Sequence, residues 1–126
     1  LVGNWFLEGT DGWSGEEGYK NYLAFVYDAY DPQYLRVSLG EKLGGFLSRV
    51  EGNAPDFKDV DVNSGEVVYK LIGVGEGDEF LGNPLSEIVV ATLLVKMVNE
   101  EKIKVEVFDG NLQNPSFTQN AKFYTR

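Results

Sequence analysis

At 126 residues the chain is long enough to bury a core as one domain and too short for two, and 43% apolar with 25% charged residues is a globular composition, neither disordered nor fibrous. It has no cysteine and no histidine, which excludes disulfide frameworks, thiol nucleophiles, His-based dyads and triads, and zinc, copper or haem sites that need imidazole or thiolate. With 20 acidic against 11 basic residues the formal charge is −9, a surface that repels nucleic acid and anionic membranes.

Val2 to Glu8 reads as a first strand, followed from Gly9 to Gly18 by a glycine-rich, acidic loop. Tyr19 to Asp28 reads as an aromatic second strand, Tyr30-Asp31-Pro32-Gln33 as a turn with Pro32 presetting φ, and Tyr34 to Leu39 as the returning strand. Leu39, Leu43, Phe46, Leu47 and Val50 repeat at helical spacing, and Ser38 with Glu41 has capping-box spacing, but Gly40, Gly44 and Gly45 limit any helix to a short one. Glu51 to Ser64 is polar loop, Glu66 to Val74 a β-branched strand, and the glycines of Gly73-Val74-Gly75-Glu76-Gly77 open another loop that runs to Pro84. Those glycines resemble a phosphate cradle, yet acids and Phe80 follow where a helix N-terminus is needed, so a plain loop is expected.

Ile88 to Val98 is too uniformly apolar for periodicity to separate a central strand from a buried helix, and its β-branched density favours a strand covered on two sides. Asn99-Glu100-Glu101 links it to Lys102–Phe108, where alternation turns Ile103, Val105 and Val107 inward and Lys102, Lys104 and Glu106 to water. Asp109 to Ser116 is loop and Phe117 to Arg126 a last strand. The apolar run from Ile88 is broken by Thr92 and Lys96 and is shorter than the ~20 residues of a spanning helix, so no membrane span is expected. A start at Leu1 without a leader pattern reads as a processed or trimmed form.

Seven or eight short strands with 15 glycines, seven tyrosines and eight phenylalanines give a single all-β domain over residues 1–126: an antiparallel sandwich of about eight strands, or alternatively a closed up-and-down barrel. The candidate functional residues are few. Trp13, Tyr30 and Tyr34 are the aromatics assigned to ligand contact. Asp59, Asp61 and Asn63 alternate as the oxygen ligands of a calcium loop do, although Gly65 stands one place late and Lys70 holds the twelfth position where a glutamate belongs. The competing reading is a strand whose Asp face is solvated while Val60 and Val62 pack inward.

From Tyr30-Asp31-Pro32 onward, through Gly44-Gly45-Phe46-Leu47-Ser48, Asp61 to Asn63, Gly65 to Tyr69 and Val90-Ala91-Thr92-Leu93 to Lys96, the chain resembles a cohesin-type module. That resemblance implies a jelly-roll-like β-sandwich acting outside the cell or on its surface, with a protein partner or self-assembly. Fewer than thirty residues precede Tyr30, short of that family's two leading strands, so the implied sheet edge awaits a strand from a neighbour. Gly3-Asn4-Trp5, in turn, is similar to the Gly-x-Trp signature of lipocalin-like calycin barrels, which implies a barrel holding a small apolar ligand, with the tryptophan at the floor and Arg126 or Lys122 stacked on it. The expectation is a non-catalytic binding or assembly module, with calcium as the one metal its residues allow and no other cofactor.

Overall fold

Alternation in a strand commits one face to burial, and register then decides whether neighbouring strands bury the same side. The computed structural model describes residues 1–10, 12, 18–73 and 88–126. These form eight strands: β1 (Gly3–Leu7), β2 (Tyr22–Tyr27), β3 (Leu35–Leu39), β4 (Leu47–Val50), β5 (Glu66–Gly73), β6 (Val89–Asn99), β7 (Lys102–Asp109) and β8 (Lys122–Thr125). Each pairs antiparallel with the next in sequence, and β1 returns to pair with β8, so the sheet closes into an up-and-down barrel. The sheet therefore does not divide into the two stacked layers of a cohesin-like sandwich. Turns such as Asn99 to Lys102 lay each strand beside its predecessor, and the two end strands meet. Among the described residues no helix is long and apolar enough to cross a membrane.

Inward residues of neighbouring strands lie opposite one another around the barrel. Trp5 lies opposite Leu23 and Leu23 opposite Leu39; Val50 opposite Leu71 and Leu71 opposite Ala91; Met97 opposite Ile103 and Ile103 opposite Tyr124; and Tyr124 opposite Leu7 on β1. These residues form one buried cluster, with Leu7 partly buried against it, of the size expected when eight strands leave room for side chains and little more. Ser48 also points inward, and its hydroxyl donates to the Val37 carbonyl at 2.9 Å. Register shifts at Leu71/Ile72 and Met97/Asn99 skip Val90 in the β5–β6 pairing and Val98 in the β6–β7 pairing, irregularities of the kind that bend a sheet toward closure.

Several elements differ from the sequence reading. Tyr19 and Lys20 belong to a helical turn, Gly18–Asn21, so the second strand starts at Tyr22. The helical spacing after Leu39 yields a 3₁₀ turn at Glu41–Leu43; Gly44 and Gly45 then take φ of 114° and 67°, ending it, and Leu47–Val50 is strand. The last strand begins at Lys122 rather than Phe117, because the connection before it is fixed across the outer faces of β5, β6 and β7. There Thr92 Oγ1 donates to the Gly110 carbonyl at 2.7 Å, Lys70 Nζ donates to the Leu112 carbonyl, and Thr118 donates to Glu106 through N–H (2.8 Å) and hydroxyl (2.6 Å). Glu106 is therefore buried and satisfied rather than facing water.

The β2–β3 turn is fastened by Asp28. Its carboxylate accepts from the Arg36 guanidinium in a buried ion pair and from the N–H groups of Tyr30 (2.8 Å) and Asp31 (3.0 Å). Burial alone raises the carboxyl's pKa, but the Arg36 bond and the two N–H groups outweigh it and hold the group below its ordinary value. A depressed carboxylate stabilises the fold above its unfolded pKa of about 4, and that contribution disappears as pH falls through the folded value. In urea unfolding, the parent's advantage over Asp28→Asn is expected to be full at neutral pH and to shrink in acid below the unfolded value; a pH-independent difference contradicts this. The inner register has its own test. Leu93→Ala or Val105→Ala is expected to cost on the order of 2 to 4 kcal/mol by lost burial and cavity formation. Lys104, whose ammonium sits 4.7 Å from the Phe117 ring on the outer face, is worth about 1 kcal/mol or less. Equal damage from Lys104→Ala and Val105→Ala in chemical denaturation would place the wrong face inside.

Candidate functional site

The two ends of the barrel are built differently. At the end where β1 starts, Trp5 is fully buried and its indole N–H donates to the Leu1 carbonyl at 2.9 Å. The Arg126 guanidinium lies 4.1 Å from the Trp5 ring centre and donates to the carbonyls of Val2 (2.9 Å) and Glu100 (3.1 Å). One cation thus ties the N-terminal segment and the β6–β7 turn to the ring that floors the barrel. Lys122, the other cation named for this contact, stands at the opposite end of β8.

The β4–β5 connection completes this closure. Phe57 is fully buried, with ring centres 5.2 Å from both Phe25 and Tyr69, and is carried on a 3₁₀ turn, Phe57–Asp59, capped by Asp56. Tyr27 donates its hydroxyl to Asp56, and Tyr69 donates to the Pro55 carbonyl at 2.8 Å. Burial pushes the Tyr69 pKa up, which keeps that donor protonated.

Among the described residues the other end is open on one side. Among the described residues β8 pairs with Lys102 to Val105 of β7, and Glu106 to Asp109 have a strand neighbour on the β6 side alone. A cleft of about 550 Å³ lies here. Leu43, Val105, Val107, Phe108 and Leu112 line it together with the polar Lys42, Glu106, Asp109, Thr118, Asn120 and Lys122. Directly below, Tyr124 is the next inward residue of β8 after Lys122, and it lies opposite Ile103, the inward residue before Val105. The Tyr124 ring is fully buried, its hydroxyl has no hydrogen-bond partner among the described residues, and burial raises its pKa.

The residues assigned from sequence fall elsewhere. Tyr30 is exposed in the β2–β3 turn, and Tyr34 lies half-buried with the Arg49 guanidinium 4.8 Å from its ring; both are at the closed end, away from the cleft. Trp13 and the glycines Gly75 and Gly77 lie outside the described residues. Asp59 ends the 3₁₀ turn, while the Asp61 carboxylate accepts from the N–H of Asn63 at 2.8 Å and closes a turn with Ser64. Asp59, Asp61 and Asn63 are exposed in a turn, not a strand; Val60 packs inward as expected, and Val62 is exposed. Among the described residues no three acidic side chains gather as a metal site. The cleft residues Leu43 and Val107, and Tyr124 buried beneath the cleft, carry no sequence motif. Comparison with family models, with curated proteins and with solved structures finds no match for the chain.

Proposed function

We propose that this chain is a non-catalytic, lipocalin-like barrel that binds one small, largely apolar molecule through the cleft at its open end. The observation that carries the reading is the asymmetry of the ends: a floor sealed by Trp5, Arg126 and Phe57, and a mouth-side cleft walled by Val105, Val107 and Leu43. A concavity that joins an apolar wall to polar side chains able to orient a ligand is a usual form of small-molecule site. The placement of Gly3-Asn4-Trp5 at the closed end, under a C-terminal arginine, supports the lipocalin-like assignment over the cohesin-like one. Assembly by strand exchange loses its motive, since β1 already pairs with β2 on one side and β8 on the other.

The test is uptake of diphenylhexatriene, a hydrocarbon dye that fluoresces on leaving water. Saturable uptake at one dye per chain is expected, and Val107→Trp, which fills the cleft, is expected to abolish it while the far-UV circular dichroism stays that of the parent. Absence of saturable uptake, or uptake undiminished in a folded Val107→Trp, contradicts the proposal.

A further inference from the structure

Tyr124 is anomalous within the barrel. Three other polar side chains that reach the interior are satisfied by the chain itself: the Trp5 indole by Leu1, the Ser48 hydroxyl by Val37 and the Tyr69 hydroxyl by Pro55. Tyr124 is equally buried, yet among the described residues its hydroxyl oxygen has no partner. A buried hydroxyl without a hydrogen bond costs the fold its desolvation, and a phenylalanine fills nearly the same space without that cost. Tyrosine buried this deeply normally finds a partner for its O–H. Position indicates where the partner comes from, because Lys122 and Val105, each one inward step from Tyr124 or its cross-strand neighbour Ile103, both line the mouth cleft.

Building on the binding-barrel reading above, we infer that the Tyr124 hydroxyl is the hydrogen-bonding anchor of the ligand, which is a small neutral molecule, apolar over most of its surface, carrying one carbonyl oxygen of the ketone, aldehyde or ester kind. The cross-strand neighbours of Tyr124 are Leu7 and Ile103, a setting that penalises an ionised head group and leaves a neutral acceptor as the favourable partner. Burial also holds the phenol in its protonated form, so it donates throughout the neutral range. The two lysines at the rim, Lys42 and Lys122, stand at the entrance rather than at this depth.

The experiment compares two probes on the full chain and on Tyr124→Phe. One is diphenylhexatriene, which has no acceptor. The other is a propionyl-dimethylaminonaphthalene, whose ketone shifts its emission to the red when it accepts a hydrogen bond. The variant is expected to bind the ketone probe about tenfold more weakly, with its emission moved to the blue, a loss of the size one hydrogen bond supplies. Affinity for the hydrocarbon is expected to stay unchanged, and the ligand-free variant to melt at or above the parent's temperature. Equal affinity for the ketone in both proteins, or equal loss of both probes, overturns the anchor role. A lower melting temperature of the ligand-free variant does so too, since it means that the hydroxyl already has a partner such as an interior water. A parent that takes up the hydrocarbon but shows no Tyr124 dependence for the ketone sinks the anchor alone, whereas a parent that takes up neither probe sinks the binding-barrel reading with it.

Discussion

A sheet ends in two edge strands whose outward N–H and C=O groups must find partners or water, and in this molecule the two edges satisfy each other. The seam between β1 and β8 is short. Phe6 lies opposite Thr125, Leu7 lies opposite Tyr124, and the N–H of Glu8 donates to the Phe123 carbonyl at 2.9 Å. Closure also fixes what is inside, because the β1–β8 register turns Leu7 and Tyr124 toward the same interior that the other strands fill. Arg126 extends the seam by one residue beyond the last pair, lying over Trp5 while its own N–H donates to the Glu101 carbonyl at 3.1 Å. Backbone pairing and a stacked cation thus act together at the point where the chain's two ends meet.

The difference between the ends of the barrel follows from that seam. β8 spans Lys122–Thr125, enough to seal the end nearest Trp5 but not to cover the C-terminal half of β7. The residues before β8 are diverted across the outer surface, held by Thr92, Lys70 and Glu106, and so cannot extend the ladder. The cleft is the space left by that diversion. Part of its wall is apolar because Val107 is an inward residue beyond the last β7–β8 pair, next to Val105 at that pair. The same element that buries Glu106 outside therefore opens the interior beside it.

Much of this was legible in the chain. The β6–β7 hairpin announced itself through β-branched alternation, and Ile103 and Val105 are fully buried as the pattern required, with Val107 packed beside them. Gly3-Asn4-Trp5 together with Arg126 carried the contact that floors the barrel, although three residues and a distant arginine weigh little beside an ordered run of sandwich-like segments. That run misled because Tyr30-Asp31-Pro32 and Gly44-Gly45-Phe46 specify turns, and turns serve a sandwich and a barrel alike. Helical spacing from Leu39 to Val50 counted residues across Gly44 and Gly45, whose positive φ interrupts any helix. The cleft could not be read at all: it arises from β8 being shorter than β7, and the isolation of the Tyr124 hydroxyl is a property of what surrounds it in space.

Pairing of the first strand with the last is the claim on which the rest stands, and nuclear Overhauser contacts between their backbones test it directly. Cross-strand contacts linking Phe6 with Thr125 and Leu7 with Tyr124 are expected, with the Glu8 amide slow to exchange with solvent because it donates across the seam. Absence of those contacts, with the amides of β1 and β8 exchanging as freely as exposed edges do, would show an open sheet and contradict the barrel.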